Sequence, residues 1–558
     1  MVRATFSGFN TALSALQANQ KRLDITGQNL SNMNTAGYTR QQLEASSLNY
    51  TNPVSHYSNG NETAVGFGVS MDRVSQIRDP YLDIQYRSQS ADCSYTNRLQ
   101  TALNSLSKVL DETTISGIRQ AFDDVQSTLT SMQDPAKVAD PIYESELRSK
   151  MQSVCNLFNQ ASRQISQAEQ NEFQRLTGEG SSEQGDVQKI NDILRQIGDL
   201  NVQIKRNQIA GHPSLELQDE RNLLLDELSG YIPVETRYYK DDAHSGNNAY
   251  DYDANGAVIG KKDWPDDLEV SMNYIDTQGK SQKLILVNGS DLGADGLTKN
   301  YGQLSVLKGD HQTAASVSDP ANISIKFEKA PSYKGNGQAA ADVYAESKGI
   351  HFEGGSLQAS LDMLQKTGTG NVINGSTAVD DVRGYQYYSG KLDQLASTFA
   401  KSMNDINNKG KNPKDQNLLS NSTDDSTTGI TAGNIGISKG WTSGTIHIST
   451  DGTNRTDTIL DMIAAMKDTK KLNGKTFADY MNNLSTQLAS DSSSNQTALK
   501  TGTTVLNSIQ DSRDSLSGVS LDEEATNMMA YVSAYNAASR LMTALDEVLN
   551  TLISNTGA

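Results

Sequence analysis

Both ends of the chain carry a helical pattern with a single narrow apolar stripe, and a stripe that narrow cannot bury itself. Near the start, Phe6, Phe9, Leu13, Leu16, Leu23 and Leu30 fall on a three-four repeat whose remaining slots are Gln20 and Gly27. At the other end Ser520 and Glu523 read as a capping box. After it Leu521, Ala525, Met528, Val532, Tyr535, Met542, Leu545, Leu549 and Leu552 recur three or four residues apart, with Ser539 interrupting. An isolated amphipathic helix draws most of its stability from packing on something else. The termini therefore pack on each other, on other copies of the chain, or on both; an ordinary intramolecular bundle is the plainest of these readings.

Between the ends the order of patterns is nearly palindromic. From 34 to 80 the chain is irregular and extended, with a turn at NTAG, a loop-like stretch at 50–66, and GFGVSM leading toward an alternating segment. Helical periodicity covers 81 to about 112, 118–132, 144–175, 187–208 and 217–229, where Gly230 is expected to end it. At Tyr231 the period changes to two, with VETRYY, LEVSMNYI, KLILVNG, QLSVLKG, NISIKFE and IHFEGG as short strands separated by Gly, Asn and Asp turns. Helical pattern returns at 356–365 and 385–407, a Ser/Thr/Asn/Gly-rich stretch follows to about 456, and the remainder is largely helical.

The chain's 558 residues exceed what one hydrophobic core organises. The fold class expected is mainly α with an inserted β domain, discontinuous and multi-domain. Residues 1–35 with 515–558 form a terminal coiled-coil domain, 36–230 with 356–514 a mostly helical bundle domain, and 231–355 an outer β-rich domain. Residues 410–456 form a possible small polar insertion.

Charge and motif content exclude several functions. A formal net charge of −18 argues against nucleic acid, whose phosphates need clustered Lys and Arg. No apolar run approaches a membrane span, the clearest being LILV at 284–287. MVRATFSGFNTALSALQ has no continuous apolar core or small-residue cleavage site, so no cleaved secretory signal is expected. Cys93 and Cys155, the two cysteines, read as free and largely buried.

Ser438 in GISKG matches the G-x-S-x-G pattern of serine hydrolases, but the turn-rich WTSG that follows lacks the required helix. In DYDANGAVIGKK, Asp251, Asp253 and Asn255 fit the start of a calcium loop. Lys262 stands at the twelfth position, where a bidentate carboxylate is needed, so a hairpin with an Asn255-Gly256 turn is the better reading. Phosphate-loop, dinucleotide and zinc patterns are missing. No cofactor and no catalysis are expected.

The stretch NLSNMNTAGYTRQ at 29–41 resembles the N-terminal signature of the bacterial flagellar axial proteins, the family of rod, hook and hook-associated proteins. Asn29, Leu30, Asn32, Asn34, Thr35, Gly37 and Tyr38 occupy the places of its N-L-x-N-x-N-T-x-G-Y/F pattern. SGVSLDEEATNMMAYVSAYNAASRLMTALDEVLNTLI at 517–553 resembles the family's closing helix. Within the family, Tyr38-Thr39-Arg40-Gln41, GFGVSMDRVSQIRDPYLD, LQDERNLLLDELSGYIPV and GNIGIS look like the members that sit at the hook-filament junction.

The resemblance implies a secreted structural protein of the flagellum, exported unfolded through the flagellar type III apparatus and assembled as a ring of copies between hook and filament. It also implies as partners hook protein, the second hook-associated protein and a cytoplasmic chaperone on the C-terminal helix. Alternatives are another axial protein, such as the hook or distal rod protein, or a secreted protein with a calcium-binding outer domain. At the residue level Asn34 is expected to bond its own backbone ahead, and Gly37 to take a positive φ and turn the chain outward.

Overall fold

The computed structural model describes residues 6–48, 68–110, 112–138, 140–210, 212–240, 250–252, 258–261, 266–275, 280–289, 299–309, 313–328, 330, 333–334, 338–339, 344–345, 351–368, 372–373, 376–377, 382–409, 416–449 and 456–556. Helix α1 (Phe6–Asn32) leads into a hairpin of β1 (Gln41–Ser47) and β2 (Val69–Gln76). The sequence read this region as irregular and extended with an alternating segment after GFGVSM; β2 is that segment, and its pairing with β1 was not foreseen. Helices α2 (Pro80–Val109), α3 (Glu112–Ser131), the single turn α4 (Pro135–Val138), α5 (Pro141–Thr177), α6 (Asp186–Ile209) and α7 (Leu215–Tyr231) follow. Helix α7 runs through Gly230 instead of ending before it, because a residue without a side chain there lets the helix lie against Ser94 of α2.

The strand region holds β3 (Glu235–Lys240), β4 (Tyr250–Tyr252), β5 (Val258–Lys261), β6 (Asp266–Ile275), β7 (Ser281–Asn288), β8 (Gln303–Lys308) and β9 (Ile323–Glu328). The short β10 (Tyr333–Lys334), β11 (Gln338–Ala339), β12 (Tyr344–Ala345) and β13 (His351–Phe352) complete it. All pair antiparallel: β3, β13 and β7 around β6, β12-β9-β8 as a second sheet, and β4-β5 and β10-β11 as hairpins. Three asparagines root the sheets on α6. Asn191 exchanges two hydrogen bonds with the Leu304 backbone, while Asn201 and Asn300 both donate to the Gly289 carbonyl.

Helix α8 (Ser356–Gln365), the small ladder β14 (Val372–Ile373) with β15 (Ser376–Thr377), and α9 (Tyr385–Asn407) return the chain to the helical body. Then come β16 (Leu419–Asn421), β17 (Ile435–Ile437), the short α10 (Lys439–Thr442), α11 (Asp457–Lys467), α12 (Phe477–Ser517) and α13 (Leu521–Thr556). Phe122, Phe158, Phe399 and Phe477 pack ring to ring, with Phe122 5.2–5.9 Å from each of the others. These rings come from α3, α5, α9 and α12, so this core draws on chain from both sides of the β insertion.

The polar stretch after α9 hides an apolar face. Leu418, Leu419, Ala432, Ile435 and Trp441 are buried in the same core, and the Trp441 indole donates to Glu144 at 2.8 Å. Cys93 and Cys155 are buried free thiols, and burial pushes the Cys155 thiol up to about 12. Where the strand region hands back to the helices, Gly355 has φ +86°, and a Cβ there would meet the Tyr231 carbonyl oxygen at 2.3 Å. Gly355→Ala is expected to destabilise the helical body by at least about 2 kcal/mol in denaturant unfolding; a variant unfolding with the parent would contradict this placement.

Helix α13 returns along α1. The inward face of α1 is Ala12, Ala18, Asn19, Ile25, Thr26 and Asn29. The predicted stripe lies to its side: Leu13 is 46% exposed and Phe9, Leu16, Leu23 and Leu30 are half-buried, while the Phe6 side chain lies outside the described residues. On α13 the row facing α1 is Met528, Tyr531, Ala534, Ala538, Met542, Leu545 and Leu549, a three-four repeat in which Tyr531, Ala534 and Ala538 take the places that the sequence pattern gave to Val532, Tyr535 and Ser539, and Tyr535 itself is exposed. The guanidinium of Arg22 stacks over Tyr531 at 5.6 Å, which is why a tyrosine serves where an aliphatic residue was expected.

Candidate functional site

The end of α1, the β1 entry, α2, α7, the end of α12 and the start of α13 converge on one joint between the terminal helix pair and the helical body. The turn that begins it is closed from Asn32 instead of Asn34. Asn32 accepts from the Thr35 amide at 2.9 Å through its carbonyl and from the Thr35 hydroxyl at 3.3 Å through Oδ1. A second turn, with the Tyr38 amide donating to the Thr35 carbonyl, places Gly37 at φ +77°, the left-handed region that glycine enters without strain. A Cβ on Gly37 would meet Leu223 at 3.5 Å, an ordinary contact, so the backbone angle and not space selects glycine.

Asn29 does more than end a helix. It is 1% exposed; its Nδ2 donates to the Gln41 carbonyl at 3.0 Å and its Oδ1 accepts from the Gln41 amide at 3.0 Å, as a neighbouring strand would. The Tyr38 hydroxyl donates to the same Oδ1 at 2.9 Å. Burial, with Glu216, Asp219 and Glu524 nearby, pushes the Tyr38 phenol well up, so it stays a donor. One asparagine thereby ties helix, turn and strand together.

Beyond Tyr38 the contacts reach across the whole sequence. The Thr39 amide donates to Asp219 on α7 at 3.0 Å. The Arg40 amide donates to the Ser517 carbonyl at 2.9 Å, and its guanidinium pairs with Glu523 at 2.6 Å and Glu524 at 2.8 Å. The expected capping box is thus half made: Ser520 Oγ accepts from the Glu523 amide at 3.5 Å, but the Glu523 carboxylate goes to Arg40. Beneath lies a chain of alternating charges. Arg78 grips Asp83 with two nitrogens, Arg513 lies 3.2 Å from Asp83 and 2.7 Å from Asp226, and Arg87 donates to Asp226 at 2.8 Å. Arg513 also stacks on Tyr86 at 4.3 Å. Burial pushes the Asp219 carboxyl up against the pull of Thr39 and Arg78. Asp83 and Asp226 are each shared between two cations from different segments, so the joint holds its geometry only when all its segments are present.

The remaining sequence candidates fall elsewhere. Asp251 lies on β4, paired with β5 as a hairpin, while Asp253 and Asn255 are outside the described residues. Among the described residues no cluster of three or more His, Cys, Asp or Glu could hold a metal ion. Ser438 follows a strand and, against expectation, does open a helix, the single turn α10; its hydroxyl is spent donating to the Asn417 carbonyl at 2.6 Å and capping the Trp441 amide. The Arg78, Asp83, Arg87, Asp219, Asp226 and Arg513 cluster was not singled out from sequence. Its one visible signal is charge on the inward faces of otherwise apolar helices, as at Asp83 and Arg87 of α2.

Residues 103–418 match the family model "Flagellar hook-associated protein FlgK helical domain". Residues 9–39 match "Flagella basal body rod protein", and 512–555 match "Flagellar basal body rod FlgEFG protein C-terminal". The chain is 28% identical to the flagellar hook-associated protein 1 of Bacillus subtilis over 99% of both chains. To its counterpart in Salmonella typhimurium it is 29% identical over 40% of this chain and 38% of that one. A solved structure, the flagellar hook junction protein from Burkholderia pseudomallei, matches at 20% identity and a TM-score of 0.38, covering 61% of this chain and 46% of that one.

Proposed function

The chain belongs to the family of the flagellar hook-associated protein FlgK, and from that membership we propose that it assembles through its terminal helices into the junction between hook and filament. The observation that carries this reading is the apolar surface left by the α1–α13 pair. Leu541 and Val548 stand 48% and 56% exposed on one flank of α13, joined by Leu552, and Met529 and Val532 stand exposed on the other. A two-helix pair with apolar side chains open on both sides is stable in water only when further helices cover it. Copies arranged around an axis supply those helices, which makes the pair one element of an inner tube.

In this reading Leu13, Leu16, Leu23 and Leu30 of α1, and Leu521, Val532, Tyr535 and Leu552 of α13, meet neighbouring copies. Met528, Met542, Leu545 and Leu549 hold the pair together. Asn29, Asn32, Thr35, Gly37, Tyr38 and Arg40 set the direction in which the chain leaves the tube, and residues 231–355 project outward. Hook protein on one side and the second hook-associated protein on the other are the neighbours. Before export through the flagellar type III apparatus, a cytoplasmic chaperone covers the open flanks of α13. The role is architectural, with no reaction.

Deleting residues 521–558 is expected to leave a folded middle, with cooperative unfolding retained, and to abolish swimming in soft agar. A truncated chain that still supports swimming would contradict the proposal.

A further inference from the structure

Helix α12 is continuous but has two unlike halves. Up to Asp491 it belongs to the helical body: Phe477, Met481, Leu484 and Leu488 are buried, and Asp491 accepts from the Tyr388 hydroxyl at 3.2 Å and pairs with Arg383. Among the described residues from 492 to 517 none is buried. The three-four row continues along α2, but it now reads Ser492, Asn495, Leu499, Gly502, Leu506 and Ile509, all half-buried. Half of that row is polar or glycine, where a seam between helices calls for aliphatic side chains. Asn495 donates to the Thr96 carbonyl at 2.9 Å and to Gln100 at 3.0 Å, and Gln100 donates to Ser492 at 2.8 Å. Water replaces such bonds at little net cost. Eleven of these 26 residues are Ser or Thr and Gly502 stands mid-helix, so the segment has a weak helical preference of its own. Its far end is latched: Arg513 pairs with Asp83 at 3.2 Å and Asp226 at 2.7 Å, and the Ser517 carbonyl accepts from the Arg40 amide.

We infer that residues 492–517 form a strap that lifts from α2 as a unit while the helical body stays folded. Few buried apolar contacts and an exposed helical backbone mark the segments of a protein that open at low cost. The hinge follows Asp491, the last residue that ties α12 to α9. Helix α2 stays behind, because on its other sides it packs against α5, α7 and α8. Lifting takes Arg513 from Asp83 and Asp226 and takes Ser517 from Arg40, so the terminal pair is fixed to the body through α12 only while the strap is down. Asp83 and Asp226 keep Arg78 and Arg87, so opening strands neither carboxylate. The device belongs to one copy of the chain and does not depend on the junction reading.

Hydrogen exchange on the purified full-length chain tests this within a single helix. Amides of 492–517 should exchange together, at least a hundredfold faster than those of 481–491; uniform exchange along α12 overturns the proposal. Arg513→Gln should quicken exchange at least tenfold, by the same factor across 492–517, whereas a rise confined to the last turns means fraying and overturns the strap. The molecule also carries its own reporter, because a Cβ on Gly502 would lie 3.1 Å from the Cys93 sulfur. Iodoacetamide should therefore label Cys93, under the strap, at least tenfold faster than Cys155 in the body core, and Arg513→Gln should raise the Cys93 rate alone. Labelling of Cys93 no faster than Cys155 overturns the proposal. In a disulfide each Cβ lies about 3 Å from the far sulfur, so Gly502→Cys should close a bond to Cys93 and pin the strap. Exchange of 492–517 should then slow at least tenfold and recover on reduction; a pinned chain that exchanges as fast as the reduced one overturns the proposal.

Discussion

Asn29→Ala is expected to abolish assembly at the hook-filament junction while shifting the unfolding of the helical body by no more than about 0.5 kcal/mol. The alanine leaves the buried Gln41 amide, the Gln41 carbonyl and the Tyr38 hydroxyl without the partner that each has now. At about 1–3 kcal/mol for each stranded buried group, the cost is on the order of 3 kcal/mol or more. That cost falls on the exit from α1 and on no core contact of the helical body, so it is relieved by letting the terminal pair swing away. Asn29→Asp should behave alike, because it removes the donor to the Gln41 carbonyl and buries a charge. Hydrogen exchange is the check: amides of β1 should lose protection in the variant while those of α5 and α9 keep theirs. Unchanged protection in β1 with normal junctions would refute the clamp.

A second large effect is expected at the centre of the helical body. Arg98 is buried, donating from Nε to Glu172 at 2.9 Å and to Ser360 Oγ at 3.1 Å, with Asp186 4.0 Å from Nη2. Nη1 and Nη2 have no hydrogen-bond partner in the protein, so the cation is under-satisfied as it stands. Arg98→Ala removes the cation that the buried Glu172 and Asp186 share, leaving Asp186 only the more exposed Lys189 at 3.7 Å, and should cost about 3–5 kcal/mol. Replacing both charges, as in Arg98→Met with Glu172→Leu, should recover most of that loss, since an apolar pair of similar size carries no desolvation penalty. Tryptophan fluorescence against denaturant reports the difference. If Arg98→Ala unfolds within about 1 kcal/mol of the parent, the cluster is not structurally coupled in this way.

Much of this was legible because it is local. Periodicity located the strand insertion and the helices on both sides of it, since burial imposes a period of 3.6 on a helix and 2 on a strand. Gly37 declared a left-handed turn because few other residues tolerate one. What stayed hidden depends on partners far away in sequence. Thr39 meets Asp219, and Arg40 meets Glu524, 484 positions later. Nothing in the local pattern of Glu523 says that its carboxylate will leave the capping box for Arg40. The inner face of α1 was misread for a related reason: pattern rules weight leucine, whereas close approach to α13 and the hairpin selects Ala12, Ala18 and the polar Asn19, Thr26 and Asn29. The leucines are left at the side, where the proposed neighbours lie. The stretch at 416–449 read as polar because its few apolar residues, Trp441 among them, are spaced irregularly while all facing inward.

The central claim is that the open flanks of the terminal pair are the surfaces by which copies assemble at the junction. Immunogold electron microscopy of purified flagella tests it, using an antibody to residues 231–355 on the parent and on a Leu541→Asp/Val548→Asp variant. Both positions lie on the open flank of α13, outside the row of half-buried residues facing α1, so the charges are expected to leave the helix pair itself intact. With the parent, label should fall only at the hook-filament boundary; with the variant, the chain should be found in the medium and the boundary should be bare. Label at the boundary in both, at equal density, would contradict the account.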